Sequence, residues 1–324
     1  MCSNILTWLS AALLLANVSI ADAQQAKTYR VGVITSGGLW YETIEGLRTG
    51  LRQLGFEEGK QFVLLIRDTK GDRSLAEKVA RDLEQEKVDL IFTTQTSVTI
   101  PAKAATASVP IVFCAGADPV VLGLVQSIAK PAERLTGVHY RDTDFAAKRL
   151  EILKEIVPKV RRVVTFFDPS NPVAIGSFKV AQEAARLLGI EFTGRHVTSV
   201  EQLRASVQAL KAREIDAYFE VSDGMVNSQD QLIIDTAKAK RLLTMFINQG
   251  SVRKGGIASY GVSYNEVGRI SAKYVQRILS GAKPSELPVE GVDKIEFFIN
   301  LKTANQIGLT IPPNVLARAD KVIK

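Results

Sequence analysis

Apolar segments of strand length alternate with segments of helical period along most of this chain, and this alternation constrains the fold more than any other feature. The first strand is predicted over Tyr29 to Thr35, and the helix that follows over Thr43 to Leu54. Gly55 then suits the C-terminal cap of that helix. Strands that alternate with helices form parallel sheets covered by helices. Because the same order of elements begins again after Tyr140, the sequence predicts an α/β protein with two similar lobes.

A polar turn follows a buried strand in each predicted lobe. In the first lobe, strand Val88 to Thr93 leads through Thr94-Gln95-Thr96-Ser97 into a helix. In the second, strand Ala217 to Val221 leads through Ser222-Asp223-Gly224 into another. Ligands of open α/β sheets bind beyond the carboxyl ends of the strands, where helix N-termini favour anions. Two such lobes facing each other define a binding cleft.

Composition and motifs argue against nucleic-acid binding and catalysis. The net charge is +7, but the basic residues are scattered and form no run longer than a pair, whereas a nucleic-acid surface needs clustered positive charge. The histidines, His139 and His196, lie in predicted strands, and no Cys or carboxylate cluster has metal-ligand spacing. Hydrolase, phosphate-loop and dinucleotide motifs are absent from the sequence. We therefore expect a non-enzymatic protein with no cofactor and no metal.

The N-terminus is predicted to be a signal peptide, residues 1–23. A mostly apolar stretch from Ile5 to Ile20 precedes Ala21-Asp22-Ala23, a pattern that signal peptidases cleave. The apolar stretch is short for a membrane-spanning helix. No basic residue precedes it, so retention as a membrane anchor is the alternative to cleavage after Ala23. Cleavage would leave Cys114 as the single cysteine, so an internal disulfide is excluded.

Four segments spread over the chain form a recognisable set: Gly46-Leu47-Arg48 to Lys60, Pro110 to Val120, Asp168-Pro169-Ser170-Asn171-Pro172, and Ile299 to Pro313. Together they resemble one known family, the ABC transporter substrate-binding proteins often labelled tryptophan/tyrosine receptors. The resemblance extends from about Tyr29 to Lys324. It implies the class I periplasmic-binding-protein architecture, in which two Rossmann-like lobes with parallel sheets are joined by three hinge crossovers.

The resemblance also implies how the chain is divided and what it does. The N-terminal lobe is expected to comprise residues 24–140 and 262–293, and the C-terminal lobe 141–261 and 294–324. The crossovers are predicted near Tyr140, near Gly261 and within Lys294 to Asn300. The expected protein is a periplasmic monomer that closes around a small molecule, such as an amino acid or related carboxylate, and delivers it to an ABC permease in the inner membrane. The alternative is a receptor that signals to a different membrane partner.

In the N-terminal lobe, the candidate ligand-binding residues come from three turns. Ser36 and Trp40 follow the first strand, and Trp40 either stacks on a ligand or packs on its own lobe. Thr96 and Ser97 either bind a carboxylate at a helix start or merely cap that helix. Asp118 either lines the cleft or caps the next helix.

In the C-terminal lobe, Asn171 either donates to a ligand oxygen or stabilises its own turn. Asp223 either binds an α-ammonium group, through a charge-assisted hydrogen bond, or caps a helix predicted over Met225 to Arg241. Asn248 and Tyr260, the latter near a hinge, complete the candidates.

Overall fold

The computed structural model describes residues 27–131, 133–212 and 214–324, so the predicted signal peptide lies outside the described residues. The strands are β1 (Tyr29–Thr35), β2 (Phe62–Asp68), β3 (Leu90–Thr93), β4 (Ile111–Ala115), β5 (Leu135–His139), β6 (Arg162–Phe167), β7 (Glu191–His196), β8 (Ala217–Phe219), β9 (Leu243–Phe246), β10 (Ala258–Val262), β11 (Glu290–Gly291), β12 (Ile295–Asn300) and β13 (Lys321–Ile323). The helices are α1 (Tyr41–Gln53), α2 (Ser74–Gln85), α3 (Thr96–Ala105), α4 (Ala146–Ile156), α5 (Pro172–Leu188), α6 (Val200–Gln208), α7 (Gly224–Asn227), α8 (Asp230–Ala239), α9 (Gln249–Arg253), α10 (Tyr264–Leu279), α11 (Leu301–Gln306) and α12 (Pro313–Leu316). Short 3-10 turns lie at Gly38–Trp40, Asp142–Phe145 and Pro284–Glu286.

The strands form two separate sheets, one in each lobe. The first is six-stranded in the order β11-β5-β4-β3-β1-β2, and its strand pairs are parallel. The second is seven-stranded in the order β13-β12-β10-β9-β8-β6-β7. Apolar side chains pack in buried clusters on both faces of each sheet. The predicted α/β fold with two parallel-sheet lobes is confirmed.

The chain passes between the two sheets three times. The first passage joins β5 to β6 and the second follows β10, because α10 packs on α1 of the first lobe. The third joins β11 to β12. Neither lobe is therefore continuous in sequence, and these three connections are where the sequence predicts the hinge.

Two local features differ from the sequence-based expectation. β12 pairs antiparallel with β10, which is the exception to the parallel pattern among the described strands. The helix expected over Met225 to Arg241 is divided into α7 and α8. Ser228 lies at the break, where its hydroxyl donates to the Met225 carbonyl at 2.6 Å. This side-chain bond competes with the helical pattern and favours a turn.

Glycines allow α1 and α10 to pack closely. A Cβ atom at Gly46 would lie 1.9 Å from the carbonyl oxygen of Asn265, and one at Gly268 would lie 1.9 Å from that of Thr43. No side chain fits at either position, so the two helices are held backbone to backbone. Their N-terminal residues, next to the cleft, are therefore fixed relative to each other.

Candidate functional site

A small chamber lies between the lobes where the carboxyl ends of both sheets face each other. It has a volume of about 10 Å³, which is room for about one water molecule. Its lining from the first lobe is Trp40, Gln95, Thr96, Ser97, Gly116 and Tyr140, and from the second lobe Asn171, Val173, Ser222 and Gly224. We call this the inner chamber.

The two lobes touch around the inner chamber. A Cβ atom at Gly224 would lie 2.4 Å from Ser97 Oγ in the opposite lobe, and one at Gly38 would lie 2.9 Å from the Cα of Ser228. Arg73 reaches across the mouth of the cleft and donates to the carbonyl oxygen of Ser170 at 2.8 Å. The structure therefore has the two lobes closed on each other.

Trp40 forms part of the chamber wall and is 1% exposed. Its ring stacks on Tyr264, the first residue of α10, with 4.3 Å between the ring centroids and 20° between the planes. The indole Nε1 and the Tyr264 hydroxyl are both buried, and neither has a hydrogen-bond partner among the described residues. Burial raises the pKa of Tyr264 well above its usual value, so its hydroxyl keeps its proton.

The turn before α3 supplies most of the first lobe's polar groups. The Thr96 hydroxyl accepts from the Gly116 N–H at 3.0 Å, while Gln95 donates to Ser36 Oγ. Ser97 Oγ is buried and unpartnered in the described part of the chain. No side chain caps the N-terminus of α3. This helix start therefore keeps free backbone donors, together with one free hydroxyl, beside the chamber.

Two predicted residues of the second lobe, Asn171 and Asp223, are helix N-caps. Asn171 lines the chamber, and its side-chain oxygen accepts from Val173 N at 3.1 Å at the start of α5. Asp223 is 1% exposed. One of its carboxylate oxygens caps α7, and the other accepts from the Asp168 N–H at 3.0 Å and from Asn171 Nδ2 at 3.2 Å. Burial raises the pKa of Asp223 even though these donors favour its charged form.

Five predicted residues lie outside the chamber lining: Ser36 and Asp223, described above, and Asn248, Asp118 and Tyr260. Asn248 caps α9 through a 2.7 Å bond from Gly250 N and donates to the Val262 carbonyl. Asp118 is exposed and accepts from Val120 N at 2.8 Å. Tyr260 packs edge-on against Phe145 and Phe297 inside the second lobe.

A buried ion pair lies directly behind the chamber. Asp142, just after the first passage between the lobes, is 3.4 Å from Arg149, and both side chains are fully buried. Asp142 also accepts from Ser222 Oγ at 3.1 Å, and Arg149 donates to the Tyr260 carbonyl. Burial raises the pKa of Asp142. The pair ties two hinge segments to the second lobe's chamber wall.

Some chamber residues were not among the sequence-based candidates. The sequence places Tyr140 at a predicted crossover and Gly116 and Gly224 in turns, and it predicts neither these residues nor Val173 as ligand contacts. Ser222 directly precedes Asp223, so the turn was identified while the residue that reaches the chamber was not. Their position in the sequence could have identified them, because each follows the carboxyl end of a strand.

A wider groove also lies between the lobes and is lined by residues of both. It has a volume of about 1210 Å³ and is lined by the turns after β2 and β7, among others. Among the described residues, no group of three or more His, Cys, Asp or Glu side chains is arranged to hold a metal ion. None of the described helices combines the length and apolar character that crossing a membrane requires.

The fold is that of a two-lobed α/β protein, with the inner chamber between the lobes at the carboxyl ends of the two sheets. A model of the ABC transporter substrate-binding protein family matches residues 30–323. The chain belongs to this family.

Individual relatives agree with this assignment. A conserved domain protein from Vibrio cholerae is 29% identical with a TM-score of 0.83, and the match covers 91% of this chain and 100% of that one. An ABC domain from Streptococcus pneumonia, solved in complex with L-Trp, is 23% identical with a TM-score of 0.81, and covers 92% and 100%. A tyrosine-binding protein of Clostridioides difficile is 23% identical over 89% of this chain and 83% of its own length.

Proposed function

We propose that this substrate-binding protein is the periplasmic receptor of an ABC importer, and that it closes its lobes around a small carboxylate ligand, in the first place an amino acid. The observation that carries the proposal is the inner chamber; because its volume of about 10 Å³ holds only about one water molecule, an amino acid binds there by displacing the lining side chains while the lobes stay closed. Both lobes contribute to the chamber, and it is lined by hydrogen-bonding and aromatic side chains. Contacts from both lobes let a ligand stabilise the closed state over the open one.

The N-terminus of α3 is the proposed carboxylate site. Helix starts attract anions through their free N–H groups and the helix dipole. Three helices of the second lobe begin at the cleft already capped by their own side chains, from Asn171, Asp223 and Asn248. α3 has no such cap. An anionic ligand group therefore gains most at Thr96 and Ser97, with Ser36 behind them.

The second lobe is the proposed side for the ligand's ammonium group. The Asp223 carboxylate makes no ion pair among the residues that the structure describes. It accepts from Asn171, which lines the chamber, so its negative charge lies directly behind that side chain. The relatives that bind tryptophan and tyrosine support an amino acid, including an aromatic one, as the cargo.

The remaining parts of the proposal follow from the family. Substrate-binding proteins bind a small molecule and work with ABC permeases. We propose the same partner here in the inner membrane, a monomeric state, no catalysis, and export with cleavage of the signal peptide near Ala23.

Thermal unfolding with a ligand panel tests this function. The purified protein is heated with millimolar L-amino acids, aromatic acids, nucleosides or sugars. A ligand at about 100 times its Kd adds about 2.7 kcal/mol to the free energy of unfolding and raises the midpoint by a few degrees. We expect the amino acids or aromatic acids to give the selective shift. A selective shift with sugars or nucleosides, or no shift with any compound, would contradict the proposed ligand class.

A further inference from the structure

The ring face and the indole N–H of Trp40 lie in different environments in the inner chamber. One face of its ring is covered by Tyr264, at 4.3 Å between centroids. Its indole N–H, in contrast, is buried and has no acceptor among the described residues. An indole nitrogen can only donate a hydrogen bond. A buried donor without an acceptor costs about 1–3 kcal/mol, so this atom needs a partner that the described protein does not supply.

Ser97 shows the same property at the start of α3. Its Oγ lines the same chamber and is also buried without a partner in the described part of the chain. Two neighbouring polar side chains of the same wall are engaged: Thr96 accepts from Gly116 N, and Gln95 bonds to Ser36 and Thr94. Trp40 and Ser97 can therefore both donate to a ligand, and Ser97 lies at a helix start that favours negative charge.

We propose that Trp40 acts in this site as a hydrogen-bond donor, its indole N–H binding the ligand's carboxylate together with the Ser97 hydroxyl, while Tyr264 holds the indole ring in position. This inference rests on the proposed receptor function and identifies how the carboxylate is recognised. The subsite contains no cationic side chain, since none lines the chamber among the described residues. Hydrogen-bond donors and the α3 dipole supply the stabilisation that an arginine would otherwise give.

Tyr264 is a positioning residue in this arrangement. It begins α10, which is locked against α1 by the backbone contacts at Gly46 and Gly268. Trp40 directly precedes α1. The helix pair therefore sets the geometry of the Trp40–Tyr264 stack, and the stack directs the indole N–H.

Replacing the Trp40 indole with its benzothiophene isostere tests the proposal, because the isostere keeps the size and stacking of the ring and lacks only the N–H. The probes are the tightest binder among L-tyrosine, L-tryptophan and L-phenylalanine, and the carboxamide of the same amino acid. A hydrogen bond to a charged group contributes about 1.5–3 kcal/mol, so we expect the isostere to lower affinity for the carboxylate probe roughly 10- to 150-fold. Affinity for the carboxamide, which has lost the charge, should fall much less.

A structural role for the N–H would instead lower affinity for both probes equally, and that result, or no loss for either, would overturn the proposal while leaving the receptor function intact. If none of these three amino acids binds but another amino acid of the thermal panel does, that one and its carboxamide serve as the probes; if no amino acid or aromatic acid binds the wild-type protein, this carboxylate subsite and the proposed ligand class are both refuted.

A second readout avoids any substitution at Trp40. Of the two tryptophans in the sequence, Trp8 lies in the predicted signal peptide, so the mature protein gives a single indole N–H signal, that of Trp40, in the proton–nitrogen NMR spectrum. We expect the carboxylate probe to move this signal downfield and slow its exchange with solvent, and the carboxamide to do so less. An indole signal that does not respond to saturating carboxylate probe contradicts the assignment. Tyr264→Phe, which keeps the stack, should preserve the response.

Discussion

Because the lobes are closed on each other, a side chain introduced at Gly38 is predicted to clash with the opposite lobe. This residue has φ of 59°, in the left-handed region, and a Cβ atom there would lie 2.9 Å from the Cα and 3.0 Å from the carbonyl oxygen of Ser228 in the opposite lobe. The contacted atoms belong to the backbone and cannot rotate away. With Gly38→Ala, the lobes must stay about 0.5 Å further apart at this point to reach ordinary van der Waals contact at 3.4 Å.

The expected effect is a loss of ligand affinity. Overpacking of this kind costs about 1–3 kcal/mol, and here the cost falls on the closed state alone because Ser228 moves away when the lobes open. Affinity should therefore fall roughly 5- to 150-fold, measured by isothermal titration with the compound that stabilises the protein most.

Gly123→Ala is the matched control. Gly123 has φ of 66°, and a Cβ atom there would have no neighbour within 4 Å. Both substitutions carry the same left-handed backbone penalty of about 1–2 kcal/mol in the ligand-free protein. Equal affinity of the two variants for ligand would refute the argument that the closed contact at Gly38 is part of the bound state.

Three further predictions concern buried charges. Burial raises the pKa of Glu220 from 4.5 to about 8 in the folded protein, so the unfolded chain loses this proton at lower pH than the folded chain does. The free energy of unfolding should therefore fall as the pH rises from 4.5 to 8, by up to about 1.4 kcal/mol per pH unit. In urea unfolding, Glu220→Gln should remove this slope, and an unchanged slope would exclude Glu220 as its source. Arg149→Leu should lower the free energy of unfolding by about 3–5 kcal/mol, because it leaves Asp142 buried without its partner, and a loss below about 1 kcal/mol, at the level of a surface pair, would count against this reasoning. Asp223→Ala should weaken binding of an amino acid more than tenfold, the scale of about 1.4 kcal/mol, and binding of the deaminated analogue much less; equal effects on both would identify Asp223 as a helix cap only.

Much of the fold follows from local sequence pattern. Strands such as β4 are continuous apolar runs, and helices such as α1 carry apolar residues on one face, so the α/β class is predictable before any contact is known. The antiparallel pairing of β12 cannot be predicted from local pattern, because a strand's direction relative to its neighbour depends on the path of the preceding chain. The break at Ser228 depends on a side-chain bond to the Met225 carbonyl that helix propensity does not encode.

The residues that contact a ligand are harder to predict than the fold. A carboxylate or amide at the end of a strand serves equally well as a helix cap or as a ligand contact, and both uses require the same residue type at the same position. Asn171, Asp223 and Asn248 all cap helices in the structure, and their ligand roles stay predictions. Tyr264 lies far along the chain from Trp40, and their stack depends on the close packing of α1 and α10.

Small-angle X-ray scattering of the protein with and without its best ligand tests the central claim most directly. The account predicts that the ligand-saturated protein matches the closed structure, with Arg73 and Ser170 in contact across the cleft. The ligand-free protein should have a larger radius of gyration. Identical scattering in the two states, with binding confirmed by calorimetry, would contradict a receptor that closes its lobes around its ligand.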